Sequence, residues 1–63
     1  MDLYDNVKAA CEKCGKTIAG LEREMGFTRG TIATWRDHDP SARRVQAVAT
    51  ALKTTADKLM KGE

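Results

Sequence analysis

Two short apolar stripes at helical spacing, parted by a single glycine, constrain this chain more than any other feature it carries. Ile18, Leu21 and Met25 fall at i, i+3 and i+7, which places them on one face of a helix. Phe27 follows in a connection, and Ile32 and Trp35 at i, i+3 form a second stripe. Gly26 stands just past the last apolar residue of the first stripe, where a left-handed C-cap needs a residue without Cβ. Thr28 stands where a hydroxyl can cap the next helix. Two helices joined by so short a turn form either a helix-turn-helix unit or a plain helical hairpin. Spacing alone does not separate the two.

The run Leu21-Glu22-Arg23-Glu24-Met25-Gly26-Phe27-Thr28-Arg29-Gly30-Thr31-Ile32, with Trp35 beyond it, resembles the helix-turn-helix of the Cro/C1-type (lambda repressor-like, XRE family) DNA-binding domains. Pro40-Ser41 followed by Val45, Val48, Ala49 and Leu52 is similar to that family's fourth helix, and Thr55-Ala56-Asp57-Lys58-Leu59-Met60 to its short fifth. The resemblance covers about Leu3 to Met60. It implies an all-α fold: a compact five-helix domain with a central helix-turn-helix. Glu22 departs from the family's pattern, which most often has a small residue there. A carboxylate at that place must reach solvent or find a donor such as Arg36 or a free N–H at the start of the next helix.

With 63 residues the chain is expected to be one domain, 1–63, with a modest core worth about 3–5 kcal/mol. At 41% hydrophobic but only 5% aromatic, with a single Pro, it is neither a disordered chain nor a natural sandwich or barrel. No apolar run is long enough for a membrane span, and no basic-then-apolar signal segment opens the chain. A cytoplasmic location and no membrane partner are therefore expected. The net charge of +2 says little, but the region from Lys16 to Arg44 holds Lys16, Arg23, Arg29, Arg36, Arg43 and Arg44 against Glu22, Glu24, Asp37 and Asp39. Such local asymmetry suffices for a small domain to bind a polyanion.

Taken in order, Asp2 can cap a first helix with Asp5 in its first turn. Leu3, Val7 and Cys11, joined by Tyr4, Ala10 and Cys14, give it a buried side that ends at Gly15. Cys11-Glu12-Lys13-Cys14 is a C-x-x-C. Zinc needs four ligands and His38 is the only further soft candidate, while a redox motif is usually set in a βαβ pattern. Two small apolar residues on the buried side of a helix is the reading adopted, with no metal and no cofactor. Thr17 caps the second helix, and Gly20 inside it costs roughly 1 kcal/mol, for which a tight helix crossing is one explanation. The third helix is expected from Thr28 to about Asp37, with Ile32 and Trp35 inward and a small-residue surface of Gly30, Ala33 and Thr34 around Arg29 outward. Trp35 is read as core rather than as a stacking platform for bases. Asp39 precedes Pro40 and leaves the helical region; Ser41 caps a fourth helix, and Thr55 or Thr54 a fifth carrying Ala56, Leu59 and Met60 before Gly62.

The resemblance implies sequence-specific binding of double-stranded DNA by a transcriptional regulator, repressor-like, of the kind common in phages or mobile elements. In that family the third helix lies in the major groove with its N-terminal part against base edges. Carried over residue by residue, the base-reading candidates are Thr28, Arg29, Thr31 and Thr34. Arg29 is the sharpest, because its planar fork matches the O6 and N7 acceptors of guanine. Phosphate contacts are expected from Lys16 and Thr17 at the start of the second helix, from His38, Ser41, Arg43 and Arg44 around the start of the fourth, and from Arg36. Some relatives dimerise on DNA through the C-terminal end, so a homodimer is the protein partner that the resemblance allows. No small-molecule ligand is evident. The competing class is an antitoxin-like or accessory protein-interaction module on the same fold, which calls for an apolar patch on the third helix. An enzyme is not expected, since no nucleophile–base pair or metal cluster is present.

Overall fold

The computed structural model describes residues 2–62; Met1 and Glu63, the ends of the expected domain, lie outside them. Helix α1 spans Leu3–Lys13, α2 Ile18–Met25, a 3-10 helix Ile32–Arg36, α3 Ala42–Ala51 and α4 Ala56–Lys61. The described residues contain no strand. Each α-helix begins at a side chain that accepts from the backbone N–H three residues on: Asp2 from Asp5, Thr17 from Gly20, Ser41 from Arg44 and Thr55 from Lys58. These caps satisfy donors that a helix start leaves without partners. Thr55, rather than Thr54, therefore starts α4.

The helices stop by the same logic at the other end. After α2, Gly26 takes the left-handed conformation (φ +74) and the Phe27 N–H donates back to the Glu22 carbonyl at 2.8 Å. This closure turns the chain sharply and sets the entry to everything that follows. After α3 the equivalent position is held by Lys53 at φ +58, the one non-glycine residue with positive φ among the described residues.

Packing closes around a single core. Leu3, Val7 and Cys11 of α1 meet Leu21 of α2, Ile32 and Trp35 of the 3-10 helix, Val45, Val48, Ala49 and Leu52 from α3 and its end, and Leu59 of α4. Helix α1 is the common neighbour of α2, the 3-10 helix and α4, while α3 packs on α2 and α4. Asn6 is buried in the same layer, and its Nδ2 donates to the Met60 carbonyl at 3.3 Å, tying α1 to the end of α4. Trp35 is core, as the spacing indicated.

Four readings are corrected or completed. In place of five α-helices there are four and a short 3-10 helix, and the element expected over Thr28–Asp37 is helical only over Ile32–Arg36. The cause is a contest for backbone donors. The Ile32 N–H, which an α-helix starting at Thr28 would direct to the Thr28 carbonyl, donates instead to Glu22 Oε2 at 2.9 Å. Gly30 sits at φ +92, and the Thr31 and Thr34 hydroxyls donate to the carbonyls three residues back, at 2.7 and 2.6 Å. Such bonds draw the backbone into the tighter i→i+3 pattern. Second, Gly20 faces no crossing helix; a Cβ there would meet only the Thr17 hydroxyl, at 3.0 Å. Third, Cys14 is exposed, because it is the C-cap of α1 and its Sγ points toward the chain after α3, donating to the Leu52 carbonyl at 3.2 Å. Fourth, Met60 lies outside the core at 52% exposure, leaving Leu59 to fill it from α4 with Ala56 packed against it.

Candidate nucleic-acid interface

Glu22 organises the surface on which the candidate residues lie. Its side chain is buried, and its two oxygens accept from the Gly30 N–H at 3.2 and 3.1 Å and from the Ile32 N–H at 2.9 Å. A carboxylate taken out of water without partners would be very costly; here backbone donors replace the lost hydration. Of the two routes open to it, Glu22 takes the second, the free N–H groups before the next helical segment. One side chain of α2 thereby clamps the turn from Thr28 to Ile32.

Above this clamp, Arg29 is exposed and borders a shallow cleft with Ala19, Glu22, Arg23 and Phe27. Phe27 lies edge-on to Trp35, ring centroids 6.1 Å apart and planes at 67°, and the Arg44 guanidinium sits 5.2 Å from the Phe27 centroid. Arg23 and Arg29 thus share a cleft with Phe27, and Arg44 lies over the same ring, where guanidinium and aromatic face attract. Arg23 was not a candidate in the sequence. The helical spacing of Ala19 and Arg23, which sets both on one side of α2, was the signal for it. Of the adjacent pair Arg43 and Arg44, both are exposed, and Arg44 lies over Phe27 beside the turn.

The threonines are arranged differently from a row of free hydroxyls. Thr28 is exposed, and its carbonyl accepts from both the N–H and the hydroxyl of Thr31. Thr31 and Thr34 spend their hydroxyl protons on backbone carbonyls, so what they offer outward is methyl groups and acceptor lone pairs. Thr17 accepts from the Gly20 N–H at 3.0 Å and keeps its own proton to donate. Ser41 caps α3 in the same way, at 3.3 Å from the Arg44 N–H. His38 is exposed in the loop before α3.

Two basic candidates are engaged within the fold. Lys16 Nζ donates to both Glu24 carboxylate oxygens, at 2.9 and 3.2 Å, and to the Ala51 carbonyl at 3.1 Å. It binds the α1–α2 connection to α2 and to the end of α3, and its charge is already matched. Arg36 is exposed and lies over Tyr4, its guanidinium carbon 4.3 Å from the ring centroid, which holds it beside α1. Arg23, Arg29, Arg36, Arg43 and Arg44 are in no ion pair among the described residues.

Elsewhere, the described residues hold no group of three or more His, Cys, Asp or Glu side chains placed to bind a metal ion, and no helix long and apolar enough to cross a membrane. Cys11 is buried, and burial, reinforced by Cys14, pushes its thiol pKa up. No protein-family model, no curated protein and no solved structure matches this chain.

Proposed function

We propose that the protein is a sequence-specific double-stranded DNA-binding domain of the Cro/C1-type helix-turn-helix kind, acting as a repressor-like transcriptional regulator. The observation that carries this reading is the Glu22 clamp. It holds the backbone of Gly30 and Ile32 against α2, so that Arg29 projects from a fixed turn. The reading element is then the Thr28–Thr31 turn and the first residues of the 3-10 helix, where Gly30 has no side chain and Ala33 a small one, so that the backbone can approach a groove floor closely. Arg29 reads a guanine edge, Thr28 and Thr34 contribute contacts with methyl groups or phosphate, and Arg23 joins Arg44 and Arg43 on the phosphates at either side. Lys16 drops out of the phosphate set and acts as a structural tie.

Selection of bound sites from random duplex DNA tests this. The expected result is enrichment of one short site containing a guanine whose loss costs about 1–3 kcal/mol. Recovery of unenriched DNA after several rounds would overturn it.

A further inference from the structure

The segment from Gly30 to Thr34, which follows Arg29 on the candidate interface, spends its hydrogen-bond donors inside the fold. The N–H groups of Gly30 and Ile32 donate to Glu22, and those of Thr31 and Thr34 donate to the carbonyls of Thr28 and Thr31. The Thr31 and Thr34 hydroxyls donate to those same two carbonyls, at 2.7 and 2.6 Å. Gly30, Ile32 and Ala33 have no polar side chain to add. Ile32 is buried in the core, whereas Gly30, Ala33 and Thr34 are exposed. Threonine is stiff at χ1, and a hydroxyl tied to the carbonyl three residues back selects one rotamer, which also fixes the γ-methyl. In 3-10 geometry residues three apart lie one above the other, which aligns Thr31 with Thr34. The segment therefore offers methyl groups in fixed places and acceptor lone pairs, with no side-chain donor, beside the guanidinium of Arg29.

We propose that this surface reads the 5-methyl group of a pyrimidine near the guanine that Arg29 takes, with Thr34 as the specificity-determining residue. The inference rests on the DNA-binding reading and narrows it to sites in which a major-groove methyl accompanies the guanine. The argument is a matching of groups. Every base pair turns acceptors to the major groove: N7 and O6 of guanine, N7 of adenine, O4 of thymine. A surface without donors leaves such acceptors unpaired where it covers them, which is unfavourable. The 5-methyl is the apolar group on that edge, and burying it against the methyls of Thr34 and Ala33 is favourable. The engaged hydroxyl also takes Thr34 out of the phosphate contacts, because a phosphate oxygen needs a donor. Thr34 lies five residues past Arg29, roughly 10 Å of helical rise, so the methyl it meets is within about three base pairs of the guanine. Thymine and 5-methylcytosine both carry this group, so the chemistry recognised is the methyl itself.

The test uses duplexes built on the site recovered by selection, with affinity read by fluorescence anisotropy. Each thymine near the guanine is replaced in turn by uracil, which deletes only the methyl. At one position the wild type should bind about fourfold more weakly. Thr34→Ser keeps the hydroxyl and removes the methyl, and should bind the thymine and uracil duplexes equally. Thr34→Val keeps a methyl on the branch and removes the hydroxyl, and should still prefer thymine. A C·G pair at the same position, with and without a 5-methyl on the cytosine, separates the two sources. A matching gain on methylation makes 5-methylcytosine a ligand too; no gain assigns the reading to thymine. Four results would each overturn the proposal while leaving guanine reading by Arg29 intact. They are a selected site with no thymine within about three pairs of the guanine, uracil without effect at every position, a thymine preference unchanged in Thr34→Ser, and one lost in Thr34→Val. A selection that enriches no site would overturn it together with the DNA-binding reading.

Discussion

Two basic regions of this molecule differ in the kind of cation they present. Every arginine lies between Arg23 and Arg44 in the chain, and two of them sit over aromatic rings, Arg36 over Tyr4 and Arg44 over Phe27. A cleft walled by α1, the turn after α3 and α4 is lined by Lys13, Lys53 and Lys58, with no aromatic ring in its lining. A planar guanidinium laid on an aromatic face is held in one orientation and still presents a fork of donors, whereas an ammonium on a flexible stem is a mobile point charge. The first region therefore suits recognition that depends on direction, such as a base edge or a defined row of phosphates. The second suits attraction of small anions. Net charge alone, at +2, hides this division.

Changes beneath the arginine region should have the largest effects. Trp35→Ala removes the platform under Phe27 and a buried aromatic from a small core, at about 3–5 kcal/mol, comparable to the whole stability expected of such a domain. Thermal melting by circular dichroism should show an unfolded or barely folded chain; an unchanged midpoint would mean that the ring bears no load. Glu22→Ala comes next. It strands the Gly30 and Ile32 N–H groups and should cost about 2–3 kcal/mol in urea denaturation, while abolishing preference among duplexes before it abolishes folding. If preference survived, the turn would be held by something other than the clamp.

Smaller effects sharpen the contrast between the two regions. Arg44→Ala should weaken all duplexes by similar factors and reduce the salt slope of binding by about one unit. Lys16→Met should leave that slope unchanged and cost at most about 1 kcal/mol of stability, because its partly exposed ion pair with Glu24 is internal to the fold. Lys53→Gly should be the mildest, raising stability by up to about 1 kcal/mol by relieving a left-handed backbone, with no change in duplex affinity. A loss of stability there would show that the Lys53 side chain contributes packing that outweighs the strain.

What was legible in the sequence was local. Asp2, Thr17, Ser41 and Thr55 cap helices because each needs only its own neighbours three residues on, and Gly26 ends α2 for the same reason. The apolar stripes found the core because periodicity reports a face. The 3-10 helix was not legible, since it depends on a carboxylate from another helix claiming the Ile32 N–H. Nor were the engaged state of Lys16, the exposure of Cys14 and Met60, or the buried Asn6, each decided by partners far along the chain. Of the candidate interface, the sequence indicated the arginines of the turn and of the α3 start, but not Arg23 or the gathering about Phe27, which exists only after Trp35 is placed beneath it.

The claim that the clamped turn reads DNA rests most directly on Arg29. Fluorescence anisotropy of wild type and Arg29→Ala, on the selected duplex and a scrambled one at several salt concentrations, separates base reading from phosphate attraction. Wild type should favour the selected duplex, and Arg29→Ala should lose about 1–3 kcal/mol there while binding scrambled duplex with little change. A ratio of selected to scrambled affinity that is the same in both proteins would contradict the account.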